Sequence, residues 1–187
     1  MNRILFLIFI PLAACAPHKH QVSVDPAAKP YFDSFVAEAT TQGAPVTIDD
    51  LIIRFDDLGG TVSNGTFTGA VCYRQDDTTP EIVINRNDVL GTAMFSQSSP
   101  TIQRELVWHE MGHCVLGRAH LQATFSAPNQ WGMVPDSIMY PVLMSDLILN
   151  TFADHYSGEL FHPTVNNAKS EARSQMVPDS PSRVFVN

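Results

Sequence analysis

The chain has 187 residues, 44% of them apolar and 16% charged, enough to bury one core and too few for two comfortable ones. Eleven Lys and Arg stand against 19 Asp and Glu, a formal net charge of -8. Such an acidic chain disfavours nucleic acid and anionic lipid head groups as partners, so attachment to a membrane would need something other than a basic patch.

At the N-terminus Arg3 precedes the apolar run 4–10, and the small residues Ala13 and Ala14 follow, which is the layout of a secretory signal. The run is too short to span a bilayer as a permanent helix. The stretch Leu12-Ala13-Ala14-Cys15 resembles the bacterial lipobox. That resemblance implies cleavage before Cys15, acylation of Cys15 and, because residue 16 is Ala rather than Asp, an outer-membrane location facing the periplasm. Residues 1–14 are then the signal peptide. Their loss takes Arg3 from the eleven cations and leaves ten against 19 acids, so acyl chains rather than charge would hold the protein to the envelope. Residues 15–30, polar and with three prolines, are predicted to form a tether. His18 and His20 within it lack the further ligands of a closed metal site.

The domain is expected over residues 31–162. Tyr31, Phe32, Phe35, Val36 and Ala39 recur at three- and four-residue spacing and predict an amphipathic helix stopped near Gly43. Residues 51–55, 66–73 and 81–85 read as strands of one sheet, with a fourth candidate at 61–63. The acidic loops Asp56-Asp57 and Asp76-Asp77 lack the alternating oxygen ligands of a calcium site. Ser98-Ser99-Pro100 gives a serine cap and a first-turn proline to a helix that buries Ile102, Leu106 and Val107, runs into His109 and closes at Gly117. A long loop, 121–137, contains Trp131, a last helix is predicted over about 143–161, and the polar segment 163–187 reads as a mobile tail. Cys72 and Cys114, in a chain bound for an oxidising compartment, read as a disulfide. Two free thiols, or Cys114 as a metal ligand, are the alternatives.

The stretch His109-Glu110-Met111-Gly112-His113 places two histidines four apart on a helix. They lie about 40° apart in rotation and about 6 Å apart along the axis, so both imidazoles can reach one metal ion. Glu110 turns to a neighbouring face, suited to accepting a proton from a metal-bound water rather than to ligation. Zinc fits this pattern because it lowers the pKa of bound water towards about 7 and polarises a peptide carbonyl. A catalytic zinc takes three protein ligands, which leaves one to find. His120 follows Gly117, a residue able to adopt the left-handed conformation and turn the chain back. His155, His162 and Asp136 are the more distant alternatives.

With His120 following and Ser137-Ile138-Met139-Tyr140-Pro141 downstream, these residues resemble the metzincin clan of zinc peptidases. The Ile-Met-Tyr-Pro run is similar to the Met-turn of the matrixin-type members. The resemblance implies a zincin-like α+β fold: a small mixed sheet, an N-terminal helix, an active-site helix, a Met-turn and a C-terminal helix. It implies His109, His113 and His120 as zinc ligands, Glu110 as general base, Met139 beneath the metal and Tyr140 lining the substrate pocket. It also implies an edge strand, assigned to 81–85, along which a peptide lies extended. The spacing departs from the clan by one extra residue between His113 and Gly117, and Pro141 stands where some branches carry a tyrosine switch. The expected protein is a zinc endopeptidase tethered to the bacterial envelope and acting on a peptide or protein substrate. A zinc-binding lipoprotein without turnover, or a zinc amidase acting on a cell-wall amide, are the alternatives.

Overall fold

The computed structural model describes residues 20–58, 66–74, 78–86, 94–128, 131–164 and 182–185. The signal segment, Cys15, His18, the candidate strand at 61–63 and Asp76-Asp77 lie outside the described residues. The first half of the chain forms β1 (Val22–Val24), α1 (Lys29–Thr41), β2 (Leu51–Asp56), β3 (Thr66–Tyr73) and β4 (Glu81–Asn85). Then come α2 (Met94–Gln97), α3 (Pro100–Cys114), the hairpin β5 (Thr124–Ala127) and β6 (Gly132–Pro135), α4 (Asp146–Thr151), α5 (Ala153–Phe161) and β7 (Ser182–Phe185). This is a small mixed α+β domain, the fold class expected.

The larger sheet has the order β1-β2-β4-β3-β7, with β1, β2 and β4 parallel and β3 antiparallel to both β4 and β7. Strand β4 is therefore interior, which corrects the assignment of 81–85 as the edge. The reason is visible in its side chains: Ile82, Val83 and Ile84 are 0, 1 and 0% exposed. A strand covered on both faces reads as a continuous apolar run, whereas a half-exposed strand alternates.

Three other boundaries move. Strand β1 and the start of α1 fall within the stretch expected to be tether, because Val22–Val24 pairs with β2 and Asp25 N bonds to Ile53 O at 2.9 Å. A three-residue strand is too short to show a period in the sequence. The predicted last helix is two, α4 and α5, separated at Phe152, whose backbone (φ -115, ψ 28) leaves the helical region while its ring packs against Phe125, Trp131 and Tyr156. Within the segment predicted as a mobile tail, the β7 backbone pairs with Thr66–Ala70 of β3.

Helix α3 is the centre of the domain. Ser99 caps it, its Oγ accepting from Ile102 N at 3.2 Å, and Pro100 fills the first turn where no N–H is needed. Every residue from Glu105 to Gly112 is buried. A helix covered on all sides must lie between layers. On one side are the sheet and α1, where the Phe35 ring sits 5.9 Å from Trp108 and 5.1 Å from Phe161. The Trp108 Nε1–H donates to Tyr31 O and Ser34 Oγ, both at 3.1 Å, so its one polar atom is satisfied inside the core.

The end of α3 is fixed covalently to the sheet. Cys72 of β3 and Cys114 form a disulfide with Cα atoms 5.7 Å apart, which removes Cys114 from the candidate metal ligands. In the chain-entropy model closing a loop of this length stabilises the fold by about 4 kcal/mol. Intact-mass measurement without reductant is expected to show no free thiol at these two positions, and Cys72→Ser/Cys114→Ser is expected to lose stability of that order in denaturant titration. Two alkylatable thiols in the untreated protein would refute the bridge.

Candidate metal centre

His109 and His113 occupy one face of α3, and each ring is oriented by a backbone carbonyl. His109 Nδ1 lies 2.7 Å from Ile138 O, and His113 Nδ1 lies 2.6 Å from Arg118 O. A carbonyl can only accept, so both Nδ1 atoms carry the hydrogen and both Nε2 atoms present lone pairs. These two carbonyls thus select the tautomer that can ligate a metal through Nε2.

The extra residue between His113 and Gly117 is absorbed at the helix end. Val115 N and Leu116 N both reach Met111 O, at 2.8 and 3.3 Å. Gly117 then takes φ +66, a conformation that disfavours any side chain, and Arg118 N closes the turn on Gly112 O at 2.9 Å. The reversed chain brings His120 over α3. Its Nε2 lies 3.1 Å from His109 Nε2, the same separation as between the Nε2 atoms of His113 and His109.

These three imidazoles form the one group of metal-ligating side chains found among the described residues, with candidate ligand atoms all within 4.8 Å of one another. Ligands about 2.05 Å from a tetrahedral ion stand roughly 3.3 Å apart, close to the 3.1 Å by which His113 and His120 are each separated from His109. The chemistry of the set also fits. The Nε2 atoms of His109 and His113 stand 3.1 Å apart, and with both Nδ1 hydrogens given to carbonyls the neutral rings offer their remaining lone pairs to one cation placed among them. Burial, and after it the neighbouring His113 and His120, hold the His109 pKa well below the usual histidine range and keep it neutral, the form that ligates.

The alternative third ligands are engaged elsewhere. His155 Nε2 meets Asp136 O and Oδ1 at 3.0 and 3.1 Å with its ring against Phe125, while His162 Nε2 meets Gln42 O at 2.6 Å. Glu110 is 1% exposed, on the buried stretch of α3 beside His109. Tyr140 is partly exposed at the end of a tight turn in which its N–H bonds to Ser137 O at 3.1 Å.

That turn supports the centre from below. Ser137 Oγ accepts from Met139 N at 3.0 Å, Leu121 N bonds to Met139 O at 2.9 Å, and Met139 is fully buried. The turn thus supplies the carbonyl of Ile138 to His109 and is tied to the residue after His120. Both carboxylate oxygens of Glu105 accept from Met144 N, at 3.0 and 3.2 Å, anchoring the following segment to α3.

Sequence reasoning missed Gly112, Arg118 and Glu105. Gly112 had a usable signal, since a glycine inside a helix costs about 1 kcal/mol and commonly marks a close approach. A Cβ built there would lie 2.4 Å from Met139 Sδ and 3.1 Å from its Cε. No family model, curated protein or solved structure matches the chain.

Because Met139 is enclosed, Gly112→Ala is expected to cost about 1–3 kcal/mol by overpacking, and to weaken metal uptake by displacing the Ile138 carbonyl from His109. In Gly112→Ala/Met139→Ala the clash is gone, so the two changes should be non-additive by more than 0.5 kcal/mol. Simple additivity in denaturant titrations would show that the contact constrains nothing.

Proposed function

We propose that the chain is a zinc-dependent endopeptidase held at the bacterial cell envelope. The single observation that carries this reading is the convergence of three imidazole Nε2 atoms, two of them aimed by carbonyls, immediately beside a buried glutamate. Three neutral nitrogen ligands with a fourth position left for water are the donor set of a catalytic rather than a structural zinc. Bound there, zinc would supply a water of lowered pKa and polarise a peptide carbonyl.

His109, His113 and His120 would hold the metal. Glu110 would take the proton of the attacking water on its carboxylate and pass it to the departing amine, so that neither hydroxide nor an amide anion is released free. Met139 and Ser137 would keep the floor of the site rigid, and Tyr140 would face the substrate. The motif resemblance to metzincins supports this division of roles. A retained Glu110 argues for turnover over a silent zinc-binding role, and a digest of unbiased peptide libraries separates a peptidase from an amidase acting on cell-wall amides.

The lipobox resemblance supports acylation at Cys15. Only residues 16–21 separate Cys15 from β1, and six extended residues reach about 20 Å, so the domain would work close to the membrane surface. Cys15→Ser is expected to accumulate unprocessed precursor. A normal mature form in soluble periplasm would remove the anchor.

For the chemistry, Glu110→Gln keeps size and ligands while removing the base. Zinc measured by mass spectrometry should stay near one per chain, and peptide hydrolysis should fall by roughly 10²- to 10⁴-fold. His120→Ala should lose both zinc and turnover, whereas His155→Ala should keep both. Hydrolysis by Glu110→Gln at the wild-type rate would exclude Glu110 as the base.

A further inference from the structure

Arg118 lies in the turn that carries the extra residue, and it bonds in three directions at once. Its main-chain N–H closes the turn on Gly112 O at 2.9 Å, and its carbonyl accepts from His113 Nδ1 at 2.6 Å. Its guanidinium, in a residue only 7% exposed, crosses to α5: Nη1 donates to Glu159 O at 3.0 Å and Leu160 O at 2.7 Å, and Nη2 donates to Glu159 Oε1 at 2.7 Å. The last carbonyls of a helix lack partners within it and carry partial negative charge, so a cation there is favoured twice, by hydrogen bonding and by the helix dipole. Arginine suits the position because its planar fork can serve two carbonyls and a carboxylate together, which a lysine ammonium on a flexible stem cannot do in a fixed geometry. Glu159, itself 6% exposed, supplies the opposite charge that lets a buried guanidinium persist.

We infer that Arg118 is a positioning residue for the metal centre: its side chain clamps the ligand loop to the C-terminal end of α5, and its carbonyl thereby holds His113 in the ligating tautomer and orientation. The inference rests on the proposed metal site. A loop carbonyl can aim an imidazole only if the loop itself cannot drift, and a turn lengthened by one residue has lost the restraint that short spacing provides. The clamp restores it through a side chain. Helix α5, which contributes no ligand, thus becomes part of the support of the centre.

The test compares wild type with Arg118→Met, Arg118→Lys and Glu159→Gln, and uses Leu149→Ala as a control that unpacks the second apolar cluster, which contains no residue of the ligand loop. Zinc affinity is measured by chelator competition, thermal stability by melting, and ligand geometry by the visible absorption of the cobalt-substituted proteins. Arg118→Met is expected to lose roughly 10- to 100-fold in zinc affinity, the range for removing an outer-shell partner, and to change the cobalt spectrum. Arg118→Lys and Glu159→Gln should fall between it and wild type. Leu149→Ala should lower the melting temperature yet bind zinc within about twofold of wild type, the tolerance for an independent site.

Arg118→Met with wild-type zinc affinity and an unchanged cobalt spectrum would overturn the inference, as would a loss of affinity that Leu149→Ala reproduces at the same loss of stability. If Arg118→Met does not fold, unchanged affinity and spectrum in both Arg118→Lys and Glu159→Gln overturn it equally. A wild type that takes up no metal would defeat the proposed function as well, whereas a metal-binding wild type with unperturbed variants defeats the role of Arg118 alone.

Discussion

Two backbone carbonyls, Ile138 O and Arg118 O, set the constraint on which the rest of the centre depends. By accepting from Nδ1 they force His109 and His113 to point bare lone pairs at a common point. A cation at that point would satisfy both lone pairs together, provided that the scaffold keeps the two rings in register. The protein therefore places the two carbonyls on segments that are rigid for independent reasons: one in a tight turn pinned by Ser137 and Leu121, the other in a loop pinned by a buried guanidinium. An ion that binds only this native arrangement would stabilise it by mass action, coupling metal uptake to stability.

The burial of α3 from Glu105 to Gly112 serves the same requirement. Its histidines are reached from both the turn at 137–140 and the loop at 117–120, so these two segments cover much of its C-terminal half. The sheet side is locked by the Cys72–Cys114 bridge one residue beyond His113, and the opposite side by Met139 pressed into the space that Gly112 leaves open. Glu105 adds a polar tie within this layer. Burial pushes its carboxyl pKa well above the usual carboxylate range, against the smaller opposing effect of the Met144 N–H.

What was legible in the sequence follows from how local each signal was. His109 and His113 could be read because the approach of their imidazoles depends on a helical spacing of four, and the capping Ser99 and Pro100 announced that helix. His120 could be read because Gly117 signals a reversal. The sheet order could not: nothing local says whether 81–85 pairs on one side or two, although the unbroken Ile82-Val83-Ile84 run was a usable hint of an interior strand. Strand β1 was hidden by its shortness, and the break at Phe152 by an aromatic that packs as well at the end of one helix as within it. Arg118 gave no local signal, because its partners on α5 are 41 and 42 residues away in the chain.

The extra residue after His113 can be understood from the same geometry. In a short turn the spacing of ligands alone limits where the third histidine can go, and an inserted residue relaxes that limit at little cost in loop entropy. The danger in such a relaxation is positional rather than thermodynamic, because a ligand displaced by about 1 Å changes both metal affinity and the angle presented to substrate. Here the lengthened turn is re-tightened by a left-handed glycine, by a hydrogen bond back to Gly112 O and by a charge-paired arginine reaching the end of α5. Restraint on this loop comes from side-chain anchorage as well as from backbone hydrogen bonds. Such anchorage lets a ligand loop vary in length while the imidazoles keep their positions, provided that the element receiving the anchor stays in register with the helix that carries the other two ligands.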